Sequence, residues 1–308
     1  MRHTMKLNER VIAALAITSI LAFHSGCKKE SVTEPTKDPE QPSIQMVQVA
    51  GGMFQMGSST GLSDQKPVHS VTVGTYYIDN TEITYEKWAE VRNWGLSNGY
   101  SDLPEGRNGY NPVGTSNPVT EVNWYEVVKW CNARSEKDGL TPMYYESNTL
   151  AFVYRTGQLY VFADAVKWTA NGYRLPTEAE WEFAARGGTK TRGYTYSGSN
   201  TIEDVAWSTS NSLLKTHPVA TKGANELGIY DMSGNVWEMT NDWYEDYYYS
   251  GSPRNNPTGP GSGVDRVVRG GCRTGGALNQ RTSRRVYIYD RTGSDRGGNV
   301  GFRLLRTP

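Results

Sequence analysis

Alternating apolar and polar positions predict strands where the folded part of the chain begins. The stretch "MVQVAGGMFQMGS", which starts at Met46, alternates on both sides of a Gly51-Gly52 break. This pattern predicts a hairpin that turns at the glycine pair. The stretch "HSVTVGTYYID", which starts at His69, has the same alternation and predicts a further strand.

Two segments further along have apolar residues at helical spacing behind a capping residue. In "TYEKWAEVRNWG", Thr84 is the predicted N-cap and Gly95 the predicted end. In the second segment, Asn123 is followed three residues later by Glu126, a spacing close to a capping box. Cys131 lies on the apolar face of this second helix, and we therefore expect it in the core.

A third, shorter helix is predicted within "RLPTEAEWEFAARGG". Thr177 caps it, Glu180 completes the box and Gly187 ends it. Beyond this helix the chain is rich in glycine, proline and aromatic residues, with only short strand patterns. Few helices and many turns predict an irregular α+β domain.

The first 27 residues have the layout of an export signal. Positive residues precede "VIAALAITSILAF", Val11 to Phe23, an apolar run too short to span a bilayer. The next residues, "HSGC", resemble a bacterial lipobox with Cys27 as the lipidated residue, although His24 stands where the box usually has leucine. We expect a protein lipid-anchored to a membrane of the bacterial cell envelope, facing the periplasm or the cell surface. The alternative is a plain cleaved signal peptide.

Residues 28–43 are charged, contain three prolines and are almost free of apolar side chains. Such a segment cannot bury enough surface to fold, so we interpret it as a tether. The remaining residues, 44–308, then form the folded part. Of the other two cysteines, Cys131 and Cys272, the sequence does not decide whether they pair.

The charge is balanced overall but uneven along the chain. A formal net charge of zero gives no electrostatic basis for binding nucleic acid. Residues 225–249 hold six acidic and no basic residues, whereas residues 265–308 hold ten arginines against three aspartates. Either these segments pair within one fold, or the arginines form a cationic surface for an anionic ligand.

Seven blocks, in order, carry a family resemblance: "GGMFQMGS", "NTEITYEKW", "NPVTEVNWYEVVKWCN", "YRLPTEAEWEFAARGG", "NELGIYDMSGNVWEM", "RVVRGG" and "NVGFRLL". Together they resemble the formylglycine-generating enzymes, also called sulfatase-modifying factors. The resemblance implies one compact domain with a variant of the C-type lectin fold and little regular secondary structure.

Enzymes of this family use two redox cysteines after the glycine pair of "RVVRGG". Counted from Gly271, those places hold Gly275 and Gln280 here, and Cys272 lies three residues before the first of them. Without a thiolate pair we expect neither formylglycine formation nor copper binding. The alternative is an oxidoreductase that relies on Cys272.

The resemblance also implies a calcium site. Carried over by position, its ligands are the side chains of Asp231 and Glu238 and the main-chain carbonyls of Gly234 and Val236. Two carboxylates and two carbonyls suit a hard cation. The alternative is that the two carboxylates only anchor the loop through hydrogen bonds.

The C-terminal arginines divide into two sets by the same resemblance. One set falls where the family scaffold tends to have arginine and is expected to be structural: Arg269, Arg281, Arg284, Arg296 and Arg303. The other set is less expected in the scaffold: Arg273, Arg285, Arg291 and Arg306. Two of these arginines and three neighbouring residues are expected to form an exposed face that binds a protein or glycan ligand: Arg273, Asn279, Tyr287, Tyr289 and Arg291. Tyrosine and arginine are frequent at binding hot spots. The alternative for the tyrosines is that they pack on the core. For the whole protein, the alternative to ligand binding is a structural subunit of a gliding or secretion complex.

Overall fold

The structure is a computed structural model that describes residues 45–111, 116–289 and 297–308. Gln41–Pro308 form one compact unit. The predicted signal, Cys27 and the tether lie outside the described residues. The helices are α1 (Tyr85–Leu96), α2 (Trp124–Lys137), α3 (Glu178–Ala185) and α4 (Ile202–Val205). The strands are β1 (Met46–Val49), β2 (Gly52–Met56), β3 (His69–Val73), β4 (Tyr76–Asp79), β5 (Arg107–Asn108), β6 (Val119–Thr120), β7 (Trp237–Trp243), β8 (Asp265–Arg269), β9 (Arg285–Tyr289), β10 (Val300–Gly301) and β11 (Leu305–Arg306).

Within the described ranges the strands form small sheets of mixed topology. A four-stranded sheet has the order β10-β7-β8-β9 and a three-stranded sheet the order β1-β4-β11. Two-stranded pairs are formed by β2 with β3 and by β5 with β6. Short mixed sheets with few helices confirm the α+β expectation.

The prediction of a hairpin around Gly51 is wrong. Strand β1 pairs with β4, so that Met46 lies opposite Asp79, while β2 pairs with β3. A Cβ on Gly51 would lie 2.6 Å from the carbonyl carbon of Gly74. Each predicted strand segment therefore breaks where the two segments pass close to each other, at Gly51 and Gly74. The two halves of each segment join different sheets.

The three predicted helices are confirmed with their caps. Helix α1 is capped by Thr84 and continues one residue beyond the predicted stop, and α2 has the full capping box at Asn123. Thr177 and Glu180 form the second box at α3, and Gly187 follows its end with a φ of 88°. This left-handed conformation ends the helix and favours glycine.

Two apolar clusters form the core, one around α2 and the other around α3. In the first, Trp88 and Trp130 stack with ring centroids 5.5 Å apart, and the Phe302 ring packs against both edge-on. Cys131 is fully buried there, as expected, and burial raises the pKa of its thiol. None of the helices in the described part of the chain is long and apolar enough to cross a membrane.

Candidate functional site in the C-terminal segment

Two C-terminal arginines are buried beside helix α3. Arg269 and Arg285 lie directly opposite each other on β8 and β9 and point toward the same helix. Arg285 donates from Nε and Nη2 to the two oxygens of Glu178, at 2.8 and 2.9 Å. Arg269 donates from Nη2 to the carboxylate of Glu182. The carboxylate partners of these two arginines therefore come from α3. Arg285 also donates from Nη1 to the main-chain carbonyl of Glu245, in the acidic segment at residues 225–249, at 3.1 Å.

The α3 partners were not identified from the sequence. Glu178 and Glu182 are four residues apart, so they share one face of a helix. That helix is buried at almost every position. Two carboxylates on a buried helix need cationic partners. This spacing is the signal that would have pointed to them.

A third buried arginine, Arg303, holds Glu238, one of the predicted calcium ligands. Its Nε and Nη2 each donate to an oxygen of that carboxylate at 2.7 Å. Trp181 donates from Nε1 to the same carboxylate at 2.7 Å. Three charge-assisted hydrogen bonds already satisfy Glu238, and a guanidinium next to it opposes a second cation. We call Arg269, Arg285 and Arg303 the core arginines.

The other predicted metal ligands lie on the turn that leads into β7. Asp231 is buried and accepts a hydrogen bond from the backbone of Ala220 at 2.7 Å. Gly234 has a φ of 91° and lies against Trp207, where a Cβ would be 2.5 Å from a carbonyl oxygen. The backbone N–H of Val236 donates to Glu82 at 3.2 Å. The turn is therefore held by hydrogen bonds within the protein.

Burial raises the pKa of Asp231 to about 6, and Glu238 adds to the shift. Burial also raises the pKa of Glu82 well above its usual value. Across the described ranges, no three His, Cys, Asp or Glu side chains are arranged to hold a metal ion. The arrangement fits loop anchoring by hydrogen bonds better than a calcium site, and calcium binding stays a prediction.

The loop after Gly271 is held together by Gln280. The side-chain Nε2 of Gln280 donates to the carbonyl oxygens of Cys272 at 2.9 Å and of Gly275 at 3.0 Å. A Cβ on Gly271 would lie 2.2 Å from Oε1 of Gln280, so only glycine fits there. The buried Cys272 is a free thiol with its Sγ 3.2 Å from the hydroxyl of Thr274. Cys131, the other cysteine that the structure describes, is also free.

Arg273 does not lie on an exposed face, and this part of the sequence-based expectation is wrong. Only 5% of its surface is exposed, and its guanidinium carbon lies 4.5 Å from the centre of the Tyr110 ring. Its backbone donates to Asn235 at 2.8 Å and accepts from the Ser212 hydroxyl at 2.7 Å. The residue is packed between loops because its flat guanidinium stacks on an aromatic ring.

The remaining predicted ligand-binding residues are not brought into one cluster. Asn279 lines a cavity of about 350 Å³ that also contains Arg281 and Arg284. Tyr287 is 41% exposed and lines a different cavity, of about 460 Å³. Arg291 and the side chain of Tyr289 lie outside the described residues.

The cavity beside Tyr287 is acidic. The Tyr287 ring packs 4.9 Å from that of Tyr244. Glu245, Asp246 and Asp265 line the same cavity, and no basic residue does so among those that the structure describes. An anionic ligand is therefore disfavoured beside Tyr287 and favoured beside Asn279.

With this geometry established, comparison with known proteins identifies the family. The family model described as "Sulfatase-modifying factor enzyme 1-like domain" matches residues 31–308. The chain belongs to this family. Its fold is accordingly the C-type lectin-like variant of the formylglycine-generating enzymes.

Relatives with different names share this domain. The chain is 37% identical over 225 residues to "Chaperone protein LppX" of Paenibacillus barcinonensis, covering 66% of this chain and 72% of the relative. It is 29% identical over 286 residues to the formylglycine-generating enzyme of Streptomyces coelicolor, covering 83% and 87%. Among solved structures, "Treponema denticola variable protein 1" superposes with a TM-score of 0.70 at 35% identity, covering 86% of this chain and 95% of that one. Family membership alone therefore does not separate enzyme from binding protein.

Proposed function

We propose that the protein is a noncatalytic binding protein, held at a membrane of the bacterial envelope by a lipid on Cys27, which recognises a protein or glycan ligand through its C-terminal segment. The observation that carries this proposal is the loop at Gln280. Where the resemblance implies a pair of redox cysteines, an amide side chain ties the loop to the carbonyls of Cys272 and Gly275. A loop closed in this way supports a structural role in place of chemistry by a thiol pair.

The thiol in this loop, Cys272, adds little support for an enzyme. Cys272 is 3% exposed, so a large peptide substrate has no direct access to its sulfur. A reactive cysteine is normally accessible and in an electropositive environment. The names of two relatives, a chaperone protein and a variable protein, are compatible with binding in place of catalysis.

Catalysis is tested with a cysteine-containing sulfatase peptide, with and without copper. We expect no formylglycine from this protein, while the Streptomyces coelicolor enzyme serves as the positive control. Mass spectrometry of the peptide is the readout. Turnover by the wild type that disappears in Cys272→Ser would show that the protein is an enzyme.

The anchor is tested by expression of the full chain in a bacterium with lipoprotein processing. We expect the mature protein to partition into detergent and to carry fatty acid, and Cys27→Ala to abolish both. A wild-type protein recovered without acyl groups in the soluble fraction would contradict the anchor and leave the plain signal peptide.

Recognition by the C-terminal segment is tested by affinity capture from envelope extracts. Tyr287→Ala and Leu278→Ala change exposed side chains of the segment, and Phe152→Ala changes one outside it as a matched control. We expect a partner captured by the wild type and the control to be lost from at least one of the first two. A stoichiometric partner retained by all variants would favour the structural-subunit alternative.

A further inference from the structure

Two adjoining cavities meet at Arg281. One has a volume of about 440 Å³ and lies against residues 57–60 and 193–195, and the other, of about 350 Å³, lies against residues 60–62 and Asn279. Thr60 and Arg281 line both. We call this continuous surface the Arg281 groove. It lies outside the turn of Asp231, and Leu278 and Asn279 bring the end of the Cys272 loop to its edge.

The charge of the groove is positive. Its described lining contains three arginines, Arg186, Arg281 and Arg284, and no Asp or Glu. The whole chain has a formal net charge of zero, so this surface departs from the protein's average. Clefts lined by one sign of charge concentrate ligands of the opposite sign.

The three arginines differ in how far they are already engaged. Arg186 is held by Glu182, through Nε at 2.8 Å, and by the carbonyl of Gly57. Arg284 lies 3.9 Å from Asp64, at the outer limit of an ion pair. The side chain of Arg281 makes no hydrogen bond or ion pair with any residue that the structure describes, and its Nε is buried. The part of the Arg281 side chain that lines both cavities therefore has no described acceptor competing with a ligand's carboxylate.

Apolar side chains adjoin the cationic centre. Leu62 is 57% exposed and Leu278 is 67% exposed, and both line the smaller cavity beside Arg281. Hydroxyl groups of Ser58 and Thr60 continue the lining on the other side. A small inorganic anion leaves the leucines uncovered, and an acidic glycan has no aliphatic side chain to place between them. An extended peptide with alternating apolar and acidic side chains satisfies both parts.

The walls of the groove are tied together by backbone hydrogen bonds. Ser58 donates to the carbonyl of Gln65 at 2.9 Å, and Thr282 donates to that of Thr195 at 3.1 Å. These bonds hold the loop after β2 and the segment before β9 in fixed positions. A preformed groove loses less entropy when a ligand binds.

We propose that the Arg281 groove binds an extended acidic segment of a partner protein, with a carboxylate on the Arg281 guanidinium and a neighbouring apolar side chain between Leu62 and Leu278. This inference rests on the proposed binding function and names the class of its ligand. The planar guanidinium donates two parallel hydrogen bonds to a carboxylate.

The test uses a fluorescein-labelled peptide of alternating leucine and glutamate, with alternating leucine and glutamine as the uncharged control, at low salt. Fluorescence anisotropy is measured with the wild type, Arg281→Gln, Leu278→Ala and Arg254→Gln, the last being an exposed arginine outside the groove. We expect Arg281→Gln to weaken binding of the acidic peptide at least about tenfold and Arg254→Gln to leave it unchanged. Leu278→Ala is expected to weaken binding to a smaller extent.

Equal binding of both peptides, no binding of the acidic peptide, or equal affinity of the Arg281 and Arg254 variants would overturn the inference. Heparin fragments and inorganic phosphate are run as competitors. If a heparin fragment binds with Arg281-dependent affinity while the acidic peptide does not, the ligand is a glycan and the peptide assignment is wrong. Affinity capture distinguishes failure of this inference from failure of the proposed function. If Arg281→Gln still captures the partner, the groove is not the binding site but the proposed binding function stands. If the wild type captures no partner, the proposed function itself is contradicted.

Discussion

The core arginines and the Arg281 groove place arginine side chains in opposite environments, and two of these arginines are only four residues apart. Arg285 is fully buried and donates to both oxygens of Glu178. Arg281, four residues earlier, is partly exposed and has no such partner within the described ranges. The same side chain therefore stabilises the fold at one position and is available to a ligand at the other.

Secondary structure explains the difference. Arg285 begins β9, and its pairing with Arg269 on β8 directs both side chains toward α3. Two like charges directly opposite each other are unfavourable on a sheet. Glu178 and Glu182 offset this repulsion because they supply one carboxylate for each arginine. Arg281 follows a short 3₁₀ helix instead of lying on a strand, and no carboxylate among the described residues forms an ion pair with it.

The largest expected effect is on the core arginines. Arg285→Ala removes both charge-assisted hydrogen bonds to the buried Glu178 and leaves it, among the described residues, only the more distant cation Arg269, whose Nη1 is 3.5 Å away. This change is expected to lower the free energy of unfolding by about 3 to 5 kcal/mol. Urea denaturation measures the change, with Arg281→Ala as the matched control. A loss for Arg285→Ala no greater than that of the control would mean that the ion pair does not stabilise the core.

The next prediction concerns the predicted calcium site, which shares Glu238 with the third core arginine, Arg303. If the ion binds only the folded state, a concentration 100 times its dissociation constant adds about 2.7 kcal/mol. Asp231→Asn keeps an acceptor for the backbone of Ala220 but removes the charge, and it should lose most of that gain. Glu238→Gln is less informative because it also breaks the pair with Arg303. Thermal unfolding and elemental analysis are the measurements, and the absence of any calcium dependence would leave loop anchoring alone.

Gln280 lies between the two regions and has an intermediate expected effect. Gln280→Ala leaves the carbonyls of Cys272 and Gly275 without their donor, which is expected to cost about 1 to 3 kcal/mol. Hydrogen exchange of the loop should increase together with the loss of stability. Unchanged stability and exchange would show that Gln280 does not hold the loop.

The smallest expected effect on stability belongs to the groove. Arg281→Gln removes no hydrogen bond or ion pair made within the described residues, so the free energy of unfolding should change by no more than about 0.5 kcal/mol. Chemical denaturation is again the measurement. A decrease of several kcal/mol in the free energy of unfolding would show that Arg281 stabilises the fold as Arg285 does, and would contradict the comparison.

The sequence by itself determined the local elements and the family. The caps at Thr84, Asn123 and Thr177 and the burial of Cys131 follow from neighbours within a few residues, and all are confirmed. The blocks that carry the resemblance are also local, and the family model confirms them. The lipid on Cys27 stays a prediction.

Only the tertiary structure decided which arginines stabilise the core and which line the groove. Arg285 was expected outside the structural set and Arg273 on an exposed face, yet both are buried, Arg273 against Tyr110. Arg281, which was expected to be structural, lines a groove. The reason is distance along the chain: Glu178, the partner of Arg285, lies 107 residues before it. Local periodicity cannot show which carboxylate faces a given arginine, because strand pairing and helix packing bring such residues together.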